Sequence, residues 1–175
     1  MGWTSYHANN YKNGKIDIKK ECEANISDSF KVLKSSIVGS TYYAAIEDIE
    51  NGEIFAAVIL TSVNNSDYYN FSYKSLTEFS GPCKYDCPAG ILKMLSPTDN
   101  EWANSWRDSC YKKKNIKKEL NTLPVGTTIK VNDFTDPVTK TKIPHYSKGF
   151  VYKWINKYRQ YIPESRIVIH GYAVC

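Results

Sequence analysis

Apolar residues recur at Ile18, Cys22, Ile26, Phe30 and Leu33, at spacings of three and four, with Lys19, Lys20, Glu21 and Glu23 between them. That period gives one apolar and one solvated face and predicts an amphipathic helix near residues 18–33. The pattern then changes. Residues 37–49 and 53–63 are rich in Ile, Val, Tyr and Ala and meet at Asn51-Gly52, a pair that tolerates positive φ at both turn positions. A β-hairpin is the expected result. Asn64-Asn65-Ser66-Asp67 reads as a turn, after which Tyr69, Phe71 and Tyr73 alternate with polar neighbours as a third strand.

Beyond Gly81-Pro82, residues 88–95 suit a short helix with Pro88 in its first turn and Ser96-Pro97 as its stop. Thr98-Asp99-Asn100-Glu101 has the form of a capping box, and Trp102, Trp106 and Cys110 follow on one stripe. This helix is expected to run out near Lys114, leaving residues 115–124 as the one plausible boundary. In the tail, residues 127–131, 150–155 and 166–174 read as strands, bounded by Asp136-Pro137 and Pro163-Glu164-Ser165.

The expected fold class is therefore α+β: an antiparallel β-meander flanked by helices near 18–33 and 98–114, with a small β-rich C-terminal extension. The predicted core spans residues 1–115 and the tail residues 123–175. About 50 residues make a marginal independent core, so the tail is expected to pack against, or extend, the first sheet in a single compact unit.

Residues 1–14 crowd Trp3, Tyr6, Tyr11, His7, Ser5 and Thr4 ahead of the first helix. Chain starts are ordinarily polar and frayed, so this much aromatic surface predicts a segment docked into the fold or lining a pocket. Across the 175 residues, hydrophobic residues make up 42% and charged residues 23%, which fits a globular domain and argues against disorder. Fourteen Tyr residues supply flat apolar area with a polar tip, suited to half-buried sheets and to contact surfaces.

Five Cys, at 22, 83, 87, 110 and 175, make an odd number, and no apolar run after Met1 resembles a signal peptide or a membrane span. The expectation is a cytoplasmic protein with reduced thiols and no membrane partner. Tyr6 stands where a myristoylation signal needs Ser or Thr. Cys83 and Cys87 are three residues apart, within zinc-ligand spacing, yet a second ligand pair is missing, so no structural metal and no cofactor are expected. A thiol nucleophile paired with His7 is open on the same residues.

The formal net charge is +5, unevenly spread. Lys112, Lys113, Lys114, Lys117 and Lys118 crowd one stretch without an acid, and Lys12, Lys15, Lys19 and Lys20 lie near the N-terminus. Cations at a helix C-terminus are favoured by the macrodipole, which accounts for two or three of the first group. Five suggest contact with a phosphate backbone.

Metal-independent RNA cleavage needs a base for the 2′-hydroxyl and an acid for the leaving oxygen, and His is suited to both. The three His are at 7, 145 and 170, and His7, with Tyr6 and Ser5 beside it, is the leading catalytic candidate. His170 alternates with Val168 and Tyr172 in the expected last strand. The order helix, three strands, helix is also that of double-stranded-RNA-binding domains, but there the lysines open the second helix, so no binding residue carries over. No P-loop, GxGxxG, HExxH or GxSxG pattern is present.

The stretches Gly2–Lys15, with its GWTSYHA opening and YKNGKID turn, residues 38–61 around Gly39-Ser40-Thr41-Tyr42-Tyr43-Ala44-Ala45, and Gly81-Pro82-Cys83-Lys84-Tyr85-Asp86-Cys87-Pro88 leading into Thr98-Asp99-Asn100-Glu101-Trp102 resemble a family of small proteins carried by conjugative elements and prophages of Gram-positive bacteria. Together they cover most of residues 1–110; the tail matches least. The resemblance extends to type II-A anti-CRISPR inhibitors of Cas9. It implies action in the bacterial host cytoplasm, with guide RNA, Cas9 or both as partners. Inhibitors that mimic DNA are acidic, and this chain is basic, so an action on the guide RNA, by binding or cleavage, is the expectation. The alternatives are a general RNA-binding protein or metal-independent ribonuclease, and a protein-docking module without RNA chemistry.

Overall fold

The computed structural model describes residues 2–64, 70–132, 137–142, 150–154, 161–162 and 164–175. The chain is α+β and divides into two compact units, Met1–Cys110 and Tyr111–Cys175. Among the described residues, no helix is long and apolar enough to cross a membrane.

The first unit is built on five antiparallel strands: β1 (Thr4–His7), β4 (Phe30–Val38), β5 (Thr41–Asp48), β6 (Ile54–Asn64) and β7 (Asn70–Thr77), in spatial order β1-β7-β6-β5-β4. Two short strands, β2 (Tyr11–Lys12) and β3 (Lys15–Ile16), form a separate hairpin ahead of α1 (Ile18–Ala24). One face of the large sheet buries Tyr42, Ala44, Ile46, Ile59 and Phe71 against Cys22 of α1 and the N-terminal Ala8 and Ile16. The other buries Tyr43, Ala45, Ala56 and Val58 against Ile91 and Leu92 of α2 (Ala89–Leu92) and Trp106 and Cys110 of α3 (Glu101–Thr122). Covered on both faces, β5 and β6 read as continuous apolar runs instead of alternating ones. Complete burial of side chains such as Phe71 and Ile59 contributes about 1.5–3 kcal/mol each.

The expected hairpin joins β5 to β6, with Asp48 and Glu53 closing the connection. Its turn is longer than the two-residue form: only Gly52, at φ +72°, is left-handed, and Asp48 Oδ1 accepts from the Glu50 amide at 2.9 Å. Residues 37 and 38 belong to the preceding strand, because Gly39, at φ +60°, turns the chain and sets Val38 opposite Thr41. The third strand is present as β7, with Phe71 fully buried; residues 65–69 of the expected turn and of the Tyr69 position lie outside the described residues.

The helix read over residues 18–33 is a correction. It stops at Ala24, and Asn25 to Ser29 turn the chain so that Phe30 starts β4. Phe30 and Val32 pack on the sheet core, and a register shift between Val32 and Lys34 carries Leu33 out of alternation. The apparent helical period from Ile26 onward is a coincidence of this bulge. At α3 the capping residue is Asn100, whose side chain accepts from the Ala103 amide at 3.0 Å; Thr98 Oγ1 instead accepts from the Asn100 amide at 3.2 Å.

In the second unit, β8 (Thr128–Val131), β9 (Pro137–Lys142), β10 (Phe150–Trp154), β11 (Tyr161–Ile162) and β12 (Tyr172–Val174) form a sheet of their own, in order β11-β10-β9-β8-β12. Its core holds Leu120, Ile129, Val131, Val138, Ile167 and Val168. The strand expected over residues 166–174 is instead α4 (Glu164–His170) followed by β12. Gly171, at φ +79°, returns its amide to Ile167 O at 2.8 Å and ends the helix. The β-branched run Ile167-Val168-Ile169 imitated a strand. The Lys140 ammonium, fully buried, donates to the carbonyls of Leu120 and Leu123 and satisfies the open end of α3.

Candidate nucleic-acid interface

Lys112, Lys113, Lys114, Lys117 and Lys118 all lie on α3, but not where the chain pattern put them. The helix runs eight residues past Lys114 to Thr122, because Ile116 and Leu120 continue the apolar stripe into the second core. No basic residue occupies its last turn. The macrodipole acts within the last turn, so it does not account for these lysines. At about 100° per residue, Lys113, Lys117, Lys114 and Lys118 span an arc of about 140°, with Lys112 across the apolar stripe from them.

Two like-charged pairs, Lys113/Lys117 and Lys114/Lys118, stand at i,i+4, an arrangement that costs about 0.2–0.5 kcal/mol per pair. Lys112, Lys117 and Lys118 are exposed, and Lys113 and Lys114 half-buried. No ion pair with a described carboxylate engages Lys112, Lys114, Lys117 or Lys118. Lys112, Lys114, Lys117 and Lys118 thus carry concentrated positive charge that no described carboxylate pairs.

The N-terminal candidates are placed by β1, the edge strand paired antiparallel to β7. Tyr6 turns inward, its ring edge-on to Phe71 at 5.7 Å and to Tyr73 at 6.1 Å. Its hydroxyl donates to Glu21 Oε2 at 2.5 Å and accepts from Asn25 Nδ2 at 2.7 Å. Burial, reinforced by the Glu21 hydrogen bond, pushes the Tyr6 hydroxyl up to about 12. Near neutrality it is a fixed donor and no proton shuttle. Alternation along the strand turns Ser5 and His7 to the opposite face, where Ser5 Oγ and Ser72 Oγ are 2.8 Å apart. His7 is exposed and pairs in register with Asn70. Ser5, Tyr6 and His7 therefore do not converge on one point.

Glu21 was missed as a key residue. It is almost fully buried and accepts from Tyr6, from the Asn9 amide at 2.6 Å, and from the Asn10 amide and side chain at 2.5 and 3.1 Å. Burial works to raise its pKa, but these donors outweigh it and hold the carboxyl below its ordinary value. One carboxylate so placed locks the aromatic N-terminal segment to the fold. The only sequence signal was an acid on the helix close to the apolar stripe.

His145 lies outside the described residues. His170 ends α4, not a strand, is exposed, and gives its carbonyl to Asn132 Nδ2 at 2.9 Å. None of the five cysteines is in a disulfide; Cys83 and Cys175 are exposed, while Cys22, Cys87 and Cys110 are core residues. Burial, with Glu23 and Glu21 nearby, pushes the Cys22 thiol up to about 12, which makes it inert as a nucleophile near neutrality. Among the described residues, no group of three or more His, Cys, Asp or Glu side chains could hold a metal ion. The chain matches no protein-family model, no curated protein and no solved structure.

Proposed function

We propose that this protein grips the phosphate backbone of RNA through the lysines of α3, and that it acts in the bacterial cytoplasm as an inhibitor of Cas9 through the guide RNA. The observation that carries the binding is the position of the lysines: mid-helix, beyond the reach of the macrodipole, with Lys113/Lys117 and Lys114/Lys118 repelling at i,i+4, and with no described carboxylate paired to Lys112, Lys114, Lys117 or Lys118. Phosphates are the partner that such a cluster fits, since each neutralised phosphate releases bound counterions. Cas9 as the target rests on the resemblance of residues 1–110 to the mobile-element family and on the basic charge, which suits a guide-RNA ligand better than mimicry of DNA.

Binding is favoured over cleavage by one observation. Tyr6 is engaged with Glu21, and Ser5 and His7 face away from it, so the N-terminal residues do not form an acid–base pocket. The test is to incubate the protein with free guide RNA, with Cas9 alone and with the assembled complex, and to run native and denaturing gels. Retardation of free guide RNA that stays intact is the expected result. Cleavage of unrelated RNA, or capture of Cas9 without RNA, would replace this reading with the ribonuclease or the docking module respectively.

A further inference from the structure

The N-terminal hairpin carries a second cluster of charge, remote in sequence from α3 and independent of the reading above. Lys12-Asn13-Gly14-Lys15 forms a two-residue turn in which Asn13, at φ 52°, and Gly14, at φ 73°, are both left-handed. This is the turn type that Asn-Gly favours. Its register sets Lys12 directly opposite Lys15. Like charges in that position destabilise a strand pair, and a two-strand hairpin has little to spare against the loss. Both lysines are exposed and line one cleft of about 570 Å³, together with Lys19 on the first turn of α1.

The cleft has a floor as well as a cationic rim. Ile18 and Ile37 line it, and Ile37 is 38% exposed, so an apolar side chain is left open beside three cations. Its acid, Asp17, is engaged as the N-cap of α1, where Oδ1 accepts from the Lys20 amide at 3.1 Å. Lys19 has a loose contact with Glu23 at 3.8 Å, leaving Lys12 and Lys15 without a described carboxylate. The depression is shallow and open to solvent, so its charge and not its enclosure would hold a ligand. Phosphate between Lys12 and Lys15 would turn their repulsion into attraction, and a flat ring could lie on Ile37 and Ile18.

We infer that the Lys12–Lys15–Lys19 cleft is a binding site for a nucleotide phosphate, either a free mononucleotide or the phosphorylated end of a strand. The test titrates the full-length protein with adenosine 5′-monophosphate and with a short RNA bearing either a 5′-phosphate or a 5′-hydroxyl. It uses wild type, the Lys12→Gln/Lys15→Gln double variant, the Lys12→Arg/Lys15→Arg double variant, and Lys114→Gln/Lys118→Gln. The site predicts at least a tenfold loss of affinity for the mononucleotide or the 5′-phosphate end in the Gln variant at the hairpin. Affinity is retained in the Arg variant, and the preference for a 5′-phosphate over a 5′-hydroxyl is unchanged by the α3 substitutions, which weaken both RNAs alike.

Binding of the mononucleotide identifies a free ligand. Preference for the 5′-phosphorylated RNA alone identifies a strand end. Absence of both in wild type, or equal binding by Lys12→Gln/Lys15→Gln, overturns the proposal. The hairpin substitutions fall on exposed turn-flanking positions, and thermal melting checks that the variants fold. The α3 variant separates this site from the phosphate grip proposed above: loss of RNA affinity there alone leaves the cleft standing, and the converse leaves the α3 reading standing.

Discussion

The Tyr6 hydroxyl donates to Glu21 Oε2 at 2.5 Å across 15 residues of sequence, and this bond fixes the aromatic N-terminal segment to the first helix. Tyr6→Phe removes a hydrogen bond to a buried charge and is expected to cost about 1.5–3 kcal/mol in chemical denaturation. Limited proteolysis near residues 2–10 should become faster in the same variant. A variant as stable and as resistant as wild type would show that the segment is held by its rings alone.

The same carboxylate makes docking sensitive to acid. Glu21 holds its proton less tightly in the folded protein than at its ordinary value of 4.5, so folding releases that proton. Its contribution is therefore fully present above pH 4.5 and is lost as pH falls through the lower folded-state value. Denaturation between pH 7 and pH 3 should show wild type losing stability more steeply than Glu21→Gln at the acid end. Parallel curves would remove Glu21 from the account.

Glu78 is fully buried and is held by Arg107, with Nε to Oε2 at 2.6 Å and Nη2 to Oε1 at 2.8 Å, while its Oε1 also accepts from the Ala56 amide at 3.1 Å. Arg107→Leu leaves that carboxylate without its counter-ion and should cost about 3–5 kcal/mol by urea denaturation. The joint change Arg107→Leu/Glu78→Leu should recover part of the loss. A single variant within about 1 kcal/mol of wild type would mean that water or another group already compensates the charge.

The hairpin between β5 and β6 was legible because apolar runs on both sides of Gly52 leave few other folds. The strand over residues 166–174 was misread because Ile167, Val168 and Ile169 have strand preferences, while the packing of Ile167 and Val168 into the second core decides for a helix. The lysines are expected at a helix end near Lys114, but Ile116 and Leu120 carry the helix on to Thr122 by packing the next two turns into the second core. The Tyr6–Glu21 bond had no local signal, since it depends on how β1 registers against β7. The candidate site was thus legible in composition, five clustered lysines, but not in position.

Ser5 and His7 lie on the sheet face opposite Tyr6, with Ser5 engaged by Ser72. On the binding account, Ser5→Ala and His7→Ala, singly or together, leave RNA affinity within about twofold of wild type and inhibition of Cas9 intact. Gel retardation and a cleavage-protection assay check this. Loss of inhibition in His7→Ala with RNA affinity retained would return the chemistry to the N-terminal segment.

The central claim, that α3 holds phosphates, is tested most directly by the salt dependence of RNA affinity in wild type and in the Lys112→Gln/Lys113→Gln/Lys114→Gln variant. Each phosphate contact to a single strand contributes about 0.7 to the slope of log K against log salt, so losing three contacts should flatten it by about 2. Folding stability should change by only a few tenths of a kcal/mol per site, as befits positions outside the core. An unchanged slope, with inhibition of Cas9 at full strength in the triple variant, would contradict the account.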